Sequence, residues 1–111
     1  MSWIRITPAD NIPLREGRAV SLGGEEIAIF NLGAKFLAVS NRCPHRGGPL
    51  AEGIVSGESV VCPLHGWKLC LTSGEVKRPP EQQACVQLYP VKVVDGIVLL
   101  EIAAEEQAEA A

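Results

Sequence analysis

The chain has 111 residues, which corresponds to about one domain and allows a single modest hydrophobic core. Its 11 glycines and 8 prolines favour many short strands joined by turns over long helices. The net charge of -3 is concentrated in the last nine residues, with Glu105, Glu106 and Glu109, and the remainder carries as many acids as bases. This balance excludes a basic surface for nucleic acid.

The strand signals predict an all-β protein. Runs of β-branched and aromatic residues predict strands at 3–6, 18–22, 26–31 and 36–40, then short ones at 53–55, 59–61, 67–69 and 75–77, and finally 85–89, 91–94 and 97–102. Paired prolines, Pro79 and Pro80, predict a loop before the last group. We therefore expect one domain over 1–102, with a base formed by 1–40 and 81–102 and an insertion at 41–80. The Ala/Glu tail, 103–111, is expected to be frayed or disordered.

The sequence also indicates the cellular compartment of the protein. No apolar run approaches the length of a membrane span, and the N-terminus lacks the apolar region of a secretory signal. We expect a cytoplasmic protein with no membrane partner. Thiols stay reduced in that compartment, so the four cysteines are expected to be ligands or free thiols.

Both histidines of the chain lie beside a cysteine in a Pro/Gly-rich turn. CPHRGGPL contains Cys43 and His45, and CPLHGWKL contains Cys62 and His65. Residues two or three positions apart lie within about 10 Å of each other, so each turn can offer a thiolate and an imidazole to the same small centre. The predicted hairpin at 53–61 would bring the second turn beside the first.

The division of these four ligands between two turns favours a two-iron centre. A structural zinc usually takes two cysteines from one turn and two histidines from another element, whereas here each turn is mixed. In a Rieske [2Fe–2S] centre, one iron takes two cysteines and the other takes two histidines. A zinc site and a pair of unrelated turns remain as alternatives.

CPHRGGPL…CPLHGW resembles the signature of the Rieske domain, and the resemblance covers essentially the whole chain. It implies a fold of three antiparallel sheets with one [2Fe–2S] cluster at the tip of the inserted subdomain. It also implies that Cys43 and Cys62 hold a buried iron, while His45 and His65 hold the solvent-facing iron.

The sequence departs from the high-potential Rieske proteins of respiratory complexes. Those proteins carry an extra cysteine pair, linked as a disulfide, at positions that here are Gly48 and Leu64. Their serine and tyrosine, whose hydroxyls bond cluster sulfur, are replaced by Trp67 and Leu69. Fewer hydrogen bonds to sulfur predict a reduction potential near the low end of the Rieske range, roughly -150 mV.

The resemblance is closest to the small subunit of assimilatory NAD(P)H-dependent nitrite reductase, in which one-electron transfer serves the reduction of nitrite to ammonium. It implies a large partner subunit with flavin and sirohaem. The alternative is a soluble Rieske-type ferredoxin that receives electrons from a flavin reductase and delivers them to an aromatic ring-hydroxylating dioxygenase. No residue is expected to be catalytic, so the chain would act only as a component of an oxidoreductase. Because both histidines are already assigned, a complete oxygenase with its own mononuclear iron is excluded.

Other residues near the motifs have plainer interpretations. Cys70 and Cys85 lack ligand spacing and are expected to be buried free thiols. Arg42, Arg46 and Lys68 lie close to the ligands in sequence, where they could meet an acidic partner or remain solvated surface charges.

Overall fold

The computed structural model describes residues 2–43, 48–64, 66–78 and 84–102. Within these ranges the chain forms eleven strands and two short 3₁₀ helices, Ala9–Asn11 and Leu50–Glu52. The strands are β1 (Ser2–Pro8), β2 (Gly17–Leu22), β3 (Glu25–Asn31), β4 (Phe36–Ser40), β5 (Ile54–Ser56), β6 (Ser59–Val61), β7 (Lys68–Cys70), β8 (Val76–Arg78), β9 (Leu88–Tyr89), β10 (Val91–Val94) and β11 (Ile97–Ile102). No helix in these ranges is long and apolar enough to cross a membrane.

The strands form three antiparallel sheets, which confirms the predicted fold class. The first sheet has the order β1-β11-β10, the second β2-β3-β4-β9 and the third β5-β6-β7-β8. Both ends of the described chain meet in the first sheet, where Ser2 pairs with Ile102. The third sheet is formed by residues that lie between β4 and β9 of the second sheet, in the region predicted as an insertion. The division into base and insertion stays a prediction.

β3 lies in the middle of the molecule and is buried on both faces. Ile27 and Ile29 belong to a core cluster shared with the first sheet, whereas Ala28 and Phe30 belong to a cluster shared with the third. Because successive side chains of a strand point to opposite faces, a strand covered on both sides needs consecutive apolar residues. This explains the unbroken apolar run of β3. The second sheet therefore lies between the other two.

The turn between β10 and β11 follows from two residues. Asp95 and Gly96 have φ values of 52° and 76°, the left-handed conformation of a two-residue hairpin turn. Beyond the turn, β11 alternates between partly buried and fully buried positions, as expected for a strand with one face on the core. The Asp-Gly signal in the sequence thus predicted this hairpin correctly.

The segment at 85–89 differs from its predicted single strand. Cys85 forms an isolated bridge with Glu75, which immediately precedes β8 of the third sheet, whereas Leu88 and Tyr89 form β9 beside β4 of the second sheet. The segment therefore crosses from one sheet to another, and its strand pairing is interrupted at the crossing. The predicted loop at Pro79 and Pro80 and the predicted tail, 103–111, lie outside the described residues.

Candidate functional site

The two cysteine-containing turns are closed by equivalent backbone hydrogen bonds, one in each turn. The N–H of Cys43 donates to the carbonyl of Gly48 at 2.9 Å, and the N–H of Cys62 donates to the carbonyl of Trp67 at 2.7 Å. We call residues 43–48 the first cysteine loop and residues 62–67 the second. Each cysteine thus begins a loop that returns to it five residues later, so the similarity seen in the sequence extends to the backbone.

The structure brings the two loops together at their cysteines. Cys43 and Cys62 are only 3% and 4% exposed, are not paired in a disulfide, and belong to the same core cluster. A Cβ built on Gly48 would lie 2.7 Å from Sγ of Cys62 and 3.0 Å from Cδ1 of Leu64. The glycine of the first loop is therefore in close contact with the second loop, and Trp67 packs against the same cluster.

The second loop needs a glycine for its backbone. Gly66 has a φ of 74°, and its N–H donates to the carbonyl of Cys62 at 3.1 Å. A residue with a side chain rarely adopts this conformation, so glycine favours the tight turn that follows position 65.

The two predicted histidine ligands, His45 and His65, lie outside the described residues. Among residues that the structure does describe, no three His, Cys, Asp or Glu side chains are grouped closely enough to hold a metal ion. The described part of the predicted site therefore consists of two thiols, one at the start of each loop.

The comparison with protein families decides what these loops belong to. The sequence profile of the Rieske [2Fe–2S] domain matches residues 2–94. The chain belongs to the Rieske family. Its similarity to the ferredoxin subunit of biphenyl dioxygenase from Pseudomonas sp. (strain KKS102) is 32% identity over 102 residues, covering 91% of this chain and 93% of that one.

Solved structures of other Rieske proteins share the fold. The Sphingomonas yanoikuyae B1 ferredoxin superposes with a TM-score of 0.82 at 25% identity, covering 92% of this chain and 100% of that one. A provisionally assigned NADH-dependent nitrite reductase small subunit from Mycobacterium tuberculosis superposes with a TM-score of 0.82 at 26% identity, covering 93% and 97%. The family implies one [2Fe–2S] cluster and a role in electron transfer.

The residues of this Rieske chain fit such a cluster. Iron–sulfur clusters are bound by thiolates, and the two buried thiols come from loops that lie against each other. Gly48 supplies no side chain at the point where a Cβ would collide with the sulfur of Cys62. Two thiols in a largely water-excluded setting, one of them closely approached by the backbone of Gly48, are suited to an inorganic cluster.

Asn41 positions the first cysteine loop, a role that sequence reasoning missed. Its side chain is 3% exposed; Nδ2 donates to Oε1 of Glu26 at 2.9 Å, and Oδ1 accepts the N–H of Ala51 at 2.7 Å. Its backbone carbonyl also accepts the N–H of Leu50 at 2.9 Å. One residue therefore ties both ends of the 41–51 segment to β3. The only signal that could have indicated this role is an asparagine two positions before a cysteine.

The other two cysteines are less buried than expected. Cys85 is exposed and Cys70 is partly buried, so the prediction of buried thiols is wrong for Cys85. The reason is that Cys85 lies where the chain crosses between sheets. Burial raises the pKa of the Cys70 thiol, but hydrogen bonds with Ser73 and Thr72 together outweigh that effect and lower the pKa to about 7.

Proposed function

We propose that this Rieske protein is a ferredoxin that carries single electrons from an NAD(P)H-oxidising flavin reductase to an aromatic ring-hydroxylating dioxygenase. It is not catalytic alone and acts in the cytoplasm. The observation that carries this proposal is the similarity to the biphenyl dioxygenase ferredoxin subunit, which extends over nearly the full length of both chains. A ferredoxin of that size needs only a cluster and surfaces for its two partners.

Four ligands are proposed for the cluster. Cys43 and Cys62 hold the buried iron, since both are almost fully buried within one core cluster. His45 and His65 hold the second iron, because each follows one of these cysteines by two or three positions and a Rieske centre takes two imidazoles on one iron. The matching closure of the two loops supports this pairing of one cysteine with one histidine in each.

The protein's own residues prepare the site for electron transfer. When bound, a [2Fe–2S] cluster accepts and returns one electron. Cys43 and Cys62 would hold it as thiolates, whose negative charge offsets the positive charge of the irons. Leu50, Val60 and Leu69, all at 0% exposure, pack in the same core cluster as the two cysteines and keep water from that side. A dry environment on one side leaves the other side of the site for electron exchange with a partner.

The nitrite reductase small subunit is the second candidate. The sequence motifs favour it, and the structural similarity to the Mycobacterium tuberculosis small subunit supports it as well as the Sphingomonas yanoikuyae ferredoxin structure supports the ferredoxin. The structural comparison does not separate the two candidates, at 25% and 26% identity. The sequence relatives favour the ferredoxin, since the biphenyl dioxygenase ferredoxin subunit is 32% identical over 91% of this chain. We therefore place the ferredoxin first.

The ligand assignment is tested on protein purified without oxygen. Two irons and two acid-labile sulfides per chain are expected, with a Rieske-type EPR signal after reduction by dithionite. Cys43→Ser, Cys62→Ser, His45→Ala and His65→Ala should each lose the signal. Cys70→Ser and Cys85→Ser are the matched controls and should keep it. A colourless parent protein, or a coloured His65→Ala variant with an unchanged spectrum, would contradict the assignment.

The choice of partner is tested by reconstitution. The chain is supplied with NADH, a flavin reductase and the terminal oxygenases of its source organism, and product formation from aromatic substrates is measured. In parallel, it is added to the large sirohaem subunit of a nitrite reductase and ammonium is measured. The ferredoxin proposal expects activity only in the first assay; activity confined to the second would favour the nitrite reductase.

A further inference from the structure

Four side chains form a row across the outer face of the third sheet. Ile54 pairs with Val61, and Val61 pairs with Lys68. Lys68 pairs with Arg78 across a register shift, which lies between Lys68 and Leu69 where β7 meets β8. Residues directly opposite each other on neighbouring strands project to the same face of a sheet. The adjacent row contains Val60, Leu69 and Val76, all buried in the core, so this row points outward. We call Ile54, Val61, Lys68 and Arg78 the outer strip.

One end of the outer strip carries two like charges in direct opposition. Lys68 and Arg78 are cross-strand partners, an arrangement that destabilises a sheet. Among the described residues, the ion pairs are Arg18–Glu16, Lys35–Glu58 and Lys77–Glu75, and none involves either member of the pair. Lys68 and Arg78 therefore lie on adjacent strands with like charges, and neither forms an ion pair with a carboxylate of the described residues.

The other end of the outer strip is apolar and exposed. Ile54 is 72% exposed, the highest value among the large hydrophobic residues that the structure describes. Val61, next to it, is partly buried. An isolated exposed isoleucine is ordinary, but here it lies in the same cross-strand row as the charged pair.

The outer strip also lies beside the second cysteine loop. Val61 immediately precedes Cys62, and Lys68 immediately follows Trp67, so the two central residues of the strip flank that loop on either side. Leu64 within the loop is itself 54% exposed. A partner bound to the strip would lie within a few residues of the proposed cluster ligands.

We propose that the outer strip is the docking surface for an electron-transfer partner protein that presents carboxylates beside an apolar patch. The inference rests on the proposed function, because it describes the partner of that same electron-transfer site. Carboxylates of the partner would neutralise Lys68 and Arg78, and its apolar patch would cover Ile54 and Val61. The apolar end favours a protein over a small anion, which would gain nothing from Ile54.

The charge of the outer strip is tested with two small oxidants of opposite sign. The reduced protein gives one electron either to ferricyanide, forming ferrocyanide, or to tris(phenanthroline)cobalt(III), forming the cobalt(II) complex. The ratio of the two rates, measured by stopped flow at low ionic strength, cancels any change in driving force. Lys68→Glu should lower the ferricyanide-to-cobalt ratio by about tenfold, and added salt should abolish the difference. Arg5→Glu, on β1 of the first sheet, is the charge-matched control and should leave the ratio nearly unchanged.

The same variant also tests whether a slower reaction could result from unfolding. Lys68→Glu converts the opposition with Arg78 into a pair of opposite charges, which stabilises a sheet. It should therefore melt at or above the temperature of the parent protein while reacting more slowly with the anion. An unchanged ratio in this well-folded variant would overturn the proposed role of the cations.

Docking itself is tested with the oxygenase that accepts electrons in the reconstitution. Lys68→Glu and Ile54→Ser should each raise the KM for the ferredoxin several-fold with little change in kcat, whereas Ile54→Ser should not alter the oxidant ratio. An unchanged KM in both variants would overturn the docking surface and leave the ferredoxin function intact. If the sirohaem subunit alone accepts electrons and shows the same KM pattern, the strip is supported and the ferredoxin proposal fails.

Discussion

A Cβ atom on Gly48 would lie 2.7 Å from the Sγ of Cys62, closer than nonbonded atoms of these kinds can approach. The two residues are 14 positions apart in the chain and belong to different cysteine loops. Gly48 is not among the glycines with positive φ, so its backbone does not require glycine. The requirement is steric: the first loop can approach the second only because position 48 has no side chain.

Replacing Gly48 with alanine is therefore expected to impair the proposed cluster site. The added methyl group must displace either the sulfur of Cys62 or the side chain of Leu64, whose Cδ1 would be 3.0 Å away. We expect a marked fall in iron and acid-labile sulfide per chain. Gly57→Ala is the control, because a Cβ there meets nothing within 4 Å although its φ is +61°. That change should lower stability by about 1 kcal/mol and leave the iron content unchanged.

Replacing Asn41 with alanine should destabilise the protein by about 1–3 kcal/mol, because it leaves the partly buried N–H of Ala51 and the carboxylate of Glu26 without their partner. Denaturant unfolding measures the loss, and hydrogen exchange at the Ala51 amide should accelerate. Glu26→Gln retains a carbonyl oxygen that can accept from Nδ2 and should have a much smaller effect. Equal losses from both variants would argue against Asn41 as the positioning residue.

The thiol of Cys70 is expected to react with iodoacetamide at neutral pH. Its pKa of about 7 means that the thiolate, which is the nucleophile, becomes the main form above that pH. The alkylation rate should therefore rise through pH 7 and level off. Oγ1 of Thr72 lies 3.0 Å from the sulfur, so Thr72→Val should raise the pKa. A rise of about one unit would reduce the thiolate fraction at pH 7 roughly fivefold.

Peptide mapping by mass spectrometry separates Cys70 from Cys85 in this experiment, since both are free. Ser21→Val, on β2 and away from Cys70, should leave the pH profile of Cys70 unchanged. If the pH profile of Cys70 alkylation is unchanged in Thr72→Val, the hydrogen bond between Thr72 and Cys70 does not lower the pKa of the thiol.

The reduction potential is expected near the low end of the Rieske range, roughly -150 mV. The hydroxyl groups that bond sulfur in high-potential members are replaced here by Trp67 and Leu69, and Leu69 is fully buried in the core. Without these donors, the added electron of the reduced state is less stabilised. A redox titration followed by EPR measures the midpoint, and a value well above zero would contradict the prediction.

Much of this protein could be read from short stretches of sequence. Strand positions, the Asp95-Gly96 turn and the two cysteine turns all depend on residues within a few positions of one another. Such signals are local because they reflect backbone conformation and the alternation of side chains along a strand. The family could be recognised for the same reason, since its motif lies within two short turns.

The tertiary structure decided what the distant residues do together. Three features involve pairings that periodicity does not encode: the contact of Gly48 with Cys62, the hydrogen bonds of Asn41 with Glu26 and Ala51, and the crossing of the 85–89 segment between sheets. The opposition of Lys68 and Arg78 depends on a register shift between Lys68 and Leu69, where β7 pairs with β8. A shift of one residue moves a side chain to the opposite face, so only the assembled sheet determines which charges meet.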